Sequence, residues 1–106
     1  MNGKQIAETQ GLKTICGEID SFDGVYAGDL LSRAMSHVEA DNLWITIMNN
    51  MNVIAVASLT EAAAVILAEG VTLVPDALEA AKEKGICILS SDKTVYELCA
   101  EIAGNL

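Results

Sequence analysis

Ser90-Ser91-Asp92-Lys93-Thr94 sets hydroxyls, a carboxylate and an ammonium group in one short run. The run follows the apolar stretch Ile86–Leu89 and precedes a helical pattern. A strand-to-helix junction of this kind offers free backbone N–H groups and suits an anion. It also lies where open α/β sheets take ligands, outside the strand carboxyl ends. Ser90, Ser91, Asp92 and Lys93 are therefore candidate ligand contacts. Ser58-Leu59-Thr60-Glu61 follows the apolar run Val53–Ala57 in the same way and adds Ser58, Thr60 and Glu61. The third stretch is Asn49-Asn50-Met51-Asn52, whose amides, those of Asn49 and Asn50 first, could grip a ligand or a partner backbone. Each stretch also has a plain structural reading. Ser91 or Asp92, and Thr60, suit helix caps, and the asparagine run suits a hairpin turn.

No pattern points to catalysis, so no catalytic residue is assigned. The P-loop run G-x-x-x-x-G-K-[ST], the dinucleotide run G-x-G-x-x-G and the nucleophile elbow G-x-S-x-G are all missing. His37 is the sole histidine and has no nearby partner in sequence. Zinc needs four N, S or carboxylate ligands, and one His with Cys16, Cys87 and Cys99 widely scattered gives no such spacing. Asp20 with Asp23, and Asp76 with Glu79, read as solvated surface. No metal and no cofactor is expected.

Fifteen acidic residues against six basic ones give a formal net charge of −9, and the basic residues form no run. Nucleic acid and anionic membranes both demand a basic patch, so neither is an expected partner. A membrane span needs about 20 apolar residues, and three asparagines interrupt Leu43–Leu59, the most apolar window. The start Met1-Asn-Gly-Lys lacks a secretory apolar core, and scattered cysteines read as reduced thiols; a cytoplasmic protein is expected. Hydrophobic residues make up 52% of the chain. That is more than a small layered domain needs to cover itself, which points to an oligomer interface.

These runs must sit on elements. The pattern predicts a helix over 3–9 anchored by Ile6 and Leu12, a strand over 13–16 ending at Gly17, and a loop over 18–28 with Val25 and Tyr26 turned inward. A helix over 29–38 places Leu30, Leu31, Ala34, Met35 and Val38 on one face. Residues 43–48 and 53–57 read as two β-branched strands joined as a hairpin through Asn49–Asn52. Thr60 then caps a helix to Glu69, ended by Gly70. A strand over 71–74, a helix that Pro75 opens at Asp76 and that runs to Lys84, stopped by Gly85, and a strand over 86–89 follow. The last helix reaches about Ala103 with Val95, Leu98, Cys99 and Ile102 inward. The fold class is α/β: a mixed, largely parallel sheet flanked by helices, in a single domain over 1–106.

The segments GVYAGDLLSRAM, DNLWIT, NVIAVASLTEAAAVILAEG and PDALEAAKEKGICILSSD resemble the DRTGG domain family, the likeness running from about Gly24 to Leu98. They are most similar to its small stand-alone, clostridial-type members of HPr serine kinase-like label. With a helix end at Gly70, the naming Asp-Arg-Thr-Gly-Gly run falls over Ser58–Ala62, where only Thr60 matches. The resemblance implies an α/β module like the N-terminal part of HPr kinase/phosphorylase, without the P-loop domain that holds the kinase site. It also implies a dimerising or regulatory role, since such domains occur beside CBS domains in regulated pyrophosphatases and in some phosphotransacetylases. The stand-alone forms occur near iron-only hydrogenase and serine-phosphatase-like genes, which implies redox or signalling regulation.

The expected function is a non-enzymatic, homodimeric regulatory module that associates with itself or a partner protein, the interface lying on the hairpin, the 60–69 helix or both. The first alternative is a sensor of a nucleotide or other anionic small molecule at Ser58–Glu61 and Ser90–Thr94. The second is an enzyme of unrecognised type.

Overall fold

The computed structural model describes residues 2–104. Its elements run α1 (Gly3–Thr9), β1 (Lys13–Cys16), β2 (Val25–Ala27), α2 (Leu31–His37), β3 (Leu43–Thr46), α3 (Met51–Thr60), β4 (Ala64–Leu67), α4 (Pro75–Lys84), β5 (Ile88–Ser90) and α5 (Val95–Gly104). The five strands form one sheet in the order β1-β5-β4-β3-β2. β2, β3, β4 and β5 are parallel, and β1 is antiparallel to β5. The α/β class with a mixed, largely parallel sheet is thus as expected.

Strands β2 to β5 step across the sheet in one direction. With right-handed crossovers, their connecting helices all fall on one face. One core confirms this: Ala34 of α2, Val53, Ile54, Val56 and Ala57 of α3, and Ala77 and Ala81 of α4 pack with Trp44, Val65, Leu67 and Ile88. The other face gathers Ile6 of α1 and Leu98 and Ile102 of α5 over Leu43, Ile45, Ala64, Ile66 and Leu89. Consecutive strand residues therefore serve opposite cores, as the two-residue period of a strand requires. Both faces are buried, so the central strands are apolar throughout.

That double burial overturns part of the sequence reading. Residues 51–60 form a helix, not the second strand of a hairpin, and residues 64–67 form a strand inside the expected 60–69 helix. Parallel β3 and β4 cannot be joined by a hairpin; a crossover is required, usually helical. Asn50 caps it, its side-chain oxygen accepting from the Asn52 N–H at 3.0 Å. Residues 71–74 are a loop rather than a strand. The expected interface segments are largely interior: Val56 is 4% exposed and Ile66 is fully buried.

Two smaller corrections concern helix starts. α2 begins at Leu31, and Leu30 and Met35, expected on the inner face, are exposed. Asp29 instead accepts from Thr46 Oγ1 at 2.7 Å and from the Ile47 N–H at 2.9 Å, closing the end of β3. α5 is capped by Thr94, not by Ser91 or Asp92: the Glu97 N–H donates to Thr94 Oγ1, and the Thr94 N–H donates to Glu97 Oε1. This reciprocal pair is a capping box. Its bonds from Thr94 hold the Glu97 carboxyl below its usual range.

The cysteines are free thiols. Burial, and secondarily Cys16, pushes Cys87 from 9.0 up to about 11. The unfolded chain therefore sheds this proton first as pH rises. The contribution is complete below pH 9.0 and is lost as pH rises through about 11. In urea titrations the midpoint should fall across that window, and Cys87→Ala should flatten the fall.

Candidate functional site

The carboxyl ends of β2, β3, β4 and β5 share one edge of the sheet. After β4 the chain leaves for α4 on one face, and after β5 it leaves for α5 on the other. The loops after Leu67 and Ser90 thus part at a topological switch, where α/β sheets seat ligands. Backbone bonds bridge the parting: Glu69 N–H to Lys93 O at 2.8 Å and Gly70 N–H to Ser91 O at 2.9 Å. Room opens beside the bridge, on the α4 face. β1 lies beyond β5 and no crossover helix spans it, so this corner is only partly roofed.

A cavity of about 490 Å³ fills that corner, lined by Gly11, Lys13, Ile15, Leu67, Gly70, Val71, Thr72, Leu73, Leu78, Ser90, Ser91 and Asp92. Its size falls within the roughly 300–1,000 Å³ of small-molecule sites. A register shift between Thr14 and Cys16 in β1 brings Ile15 and Cys16 together against the α4-side core. Ile15, Leu67, Leu73 and Leu78 supply an apolar floor. The side chains of Lys13, Thr72, Ser90 and Asp92 make no hydrogen bond or ion pair with any described residue. Free polar groups over an apolar floor are the usual make-up of a binding site.

Gly70 keeps the rim open. Its φ is +71°, and a Cβ there would lie 3.1 Å from Asp92 Oδ1. Asn49 shapes the wall without lining it. Its Nδ2 donates to Thr72 O at 2.8 Å, and its carbonyl accepts from the Val74 N–H at 3.1 Å.

The sequence candidates divide. Ser90, Ser91 and Asp92 line the cavity, and Asn49 and Asn50 stand at the same edge, holding the wall and the α3 cap. Lys93 is drawn away to Glu101. Ser58, Thr60 and Glu61 sit at the far end of α3, at the opposite edge. There Thr60 Oγ1 donates to Val56 O at 2.8 Å, and Glu61 is the left-handed cap. They form no site with Ser90–Asp92. The placement of the naming run over Ser58–Ala62 rested on a helix to Gly70 and falls with it.

The expected anion nest at Ser90–Thr94 is also filled from within. The Ser91 N–H is taken by Leu67 O, the Lys93 N–H by Ser91 Oγ and the Thr94 N–H by Glu97. Lys13, Thr72 and Leu78 also line the cavity and were not among the sequence candidates. Reading 71–74 as a strand hid the polar Thr72 in what is a loop wall. A second cavity, of about 360 Å³, lies between α1 and β1 and includes Lys4, Glu8, Thr14 and Glu18. It contains none of the sequence candidates. Among the described residues no group of His, Cys, Asp or Glu is placed to hold a metal ion, and no helix is long and apolar enough to cross a membrane.

An α/β domain with a mixed, largely parallel sheet and a cavity at its carboxyl edge is the class these features define. The chain belongs to the DRTGG domain family, whose model matches residues 5–104. The family is one of regulatory domains. A similar solved structure comprises the CBS and DRTGG domains of the regulatory region of Clostridium perfringens pyrophosphatase, complexed with its activator diadenosine tetraphosphate. The two share a TM-score of 0.74 at 11% identity, over 93% of this chain and 44% of that one. The present chain thus spans less than half the neighbour's length. No curated protein matches this sequence.

Proposed function

We propose that this chain, acting as one domain over 1–106, is a regulatory module that responds to a small-molecule effector held in the carboxyl-edge cavity. The carrying observation is the set of unengaged polar groups, Lys13, Thr72, Ser90 and Asp92, gathered over an apolar floor at a topological switch. The nucleotide activator of the structural neighbour supports the same reading. The domain senses and transmits; it performs no chemistry of its own.

Thermal unfolding with a panel of nucleosides, nucleotides, sugars and phosphate tests this. An effector at about 100 times its dissociation constant adds about 2.7 kcal/mol, which raises the midpoint by roughly ten degrees or more. Thr72 is exposed and its side chain is unengaged, so Thr72→Trp should block the cavity without harming the fold. The expected result is a shift in the parent chain that the variant lacks. A shift equal in both places the effector elsewhere, and a flat panel removes the reading.

A second reading, self-association, is favoured by one patch. Leu30 is 64%, Ile47 39% and Met51 41% exposed. The Asp29 bond to Ile47 draws the first two segments together at the β2–β3 end of the same edge. Sedimentation equilibrium should show a dimer that Leu30→Glu with Ile47→Glu converts to a monomer. A monomeric parent chain ends this reading.

A further inference from the structure

We propose that the effector is a nucleoside carrying at most one phosphate group. This rests on the cavity being the effector site and goes further, to the ligand's charge and the role of each contact. Among the lining residues Lys13 is the one cation and Asp92 the one anion, so the wall is formally neutral within a chain of net charge −9. Lys93 stands next in sequence to Asp92 but is engaged by Glu101. One ammonium group matches one phosphate.

The N-termini of α3, α4 and α5 at this edge, which would otherwise attract a polyphosphate, are closed by the chain itself; the uncapped start of α2 follows β2, at the far end of the sheet from the cavity. Asn50 caps α3. α4 opens with Pro75, which has no N–H, and Asp76 Oδ1 accepts from the Ala77 N–H. Glu97 occupies the start of α5. Two of the three are closed by carboxylates, which repel further negative charge.

What the cavity does offer suits a nucleoside. Ile15, Leu67, Leu73 and Leu78 form a floor for a planar base, while the hydroxyls of Thr72 and Ser90 can donate to or accept from its edge. Asp92 stands just past the carboxyl end of β5, uncovered because Gly70 has no side chain. An ionised carboxylate is an acceptor only and there can take hydrogen bonds from ribose hydroxyls. Lys13, at the mouth of β1 opposite Ser90, is left for a single phosphate.

Isothermal titration of the full chain tests this. The probes are the four common ribonucleosides, their 5′-monophosphates, adenosine triphosphate and diadenosine tetraphosphate, with the 2′,3′-dideoxy form of whichever binds. The expected winner is a nucleoside or monophosphate, about tenfold or more tighter than either polyphosphate. Removing the ribose hydroxyls should weaken it by about ten- to a hundredfold. Asp92→Ala should cause the same loss, with no further loss on the dideoxy form. Lys13→Ala should bring the monophosphate down to the nucleoside. Tighter binding of a polyphosphate, or indifference to both the dideoxy form and Asp92→Ala, overturns the proposal. If a sugar or another non-nucleoside binds and Thr72→Trp blocks it, the effector site stands and the nucleoside assignment falls. If nothing binds in either experiment, both fall.

Discussion

Replacing Ile66 with aspartate should leave the chain unfolded in water at room temperature. Ile66 is fully buried in β4, the middle strand of the sheet, and contributes to the core beneath α1 and α5. Losing a buried aliphatic side chain of this size costs about 2–5 kcal/mol through lost transfer energy and the cavity left behind. The carboxylate then has no cation near it in that core, and burying an unpaired polar or charged group costs several kcal/mol more, roughly 2–7 even for neutral groups. Together these approach or exceed the roughly 5–15 kcal/mol that holds a domain folded. Far-ultraviolet circular dichroism and urea titration would read the loss directly. Ile66→Val is the control: it removes one methylene and should cost about 0.5–1.5 kcal/mol. A folded, cooperative Ile66→Asp chain would mean that β4 is not interior.

Gly17→Ala is the second large effect, and it arises from backbone rather than core. Gly17 ends β1 with φ +73°, and a Cβ there would stand 2.7 Å from Cys87 Cα, 2.8 Å from Ile86 O and 2.9 Å from Cys87 N. All three are main-chain atoms just before β5, so no side chain can swing aside. The left-handed conformation alone costs an alanine roughly 1–2 kcal/mol. Relieving the clash requires β1 and β5 to separate, which weakens the antiparallel pair Lys13↔Ser90 that walls the cavity. The expected loss is about 3 kcal/mol or more, among the larger single-residue effects. It should appear as a fall of roughly 10–20 degrees in the unfolding midpoint. Gly11→Ala separates the two contributions. Gly11 has φ +66° but nothing within 4 Å of its would-be Cβ, so it should lose only the conformational part. Equal losses at the two glycines would show that the contact with Cys87 carries no energy.

The α/β class, α1, β1, the helix from Pro75 to Lys84 and the inward stripe of the last helix were legible in the sequence. Each rests on local chemistry: proline at a first turn, glycine at a helix end, or an amphipathic period with one wet face. Membership of the DRTGG family was legible too, from the order of its segments. The middle of the chain was not. Met51–Thr60 and Ala64–Leu67 are both apolar, and β-branched residues occur in each. A strand buried on both faces loses the alternation that would mark it. The choice between helix and strand was made by connectivity: parallel β3 and β4 require a crossover between them, and that requirement is tertiary.

The site divides along the same line. Ser90, Ser91 and Asp92 follow a strand that the sequence located, so they stood out. Ser58, Thr60 and Glu61 followed a stretch read as a strand; because it is a helix, they lie at the edge opposite the cavity. Lys13, Thr72 and Leu78 reach the cavity from three separate segments, brought together only because antiparallel β1 lies beyond β5 and no crossover helix spans that corner. Sequence fixes which groups exist and which local turns they favour. Sheet order decides which of them meet, because neighbours across a sheet are set by strand pairing and not by distance along the chain.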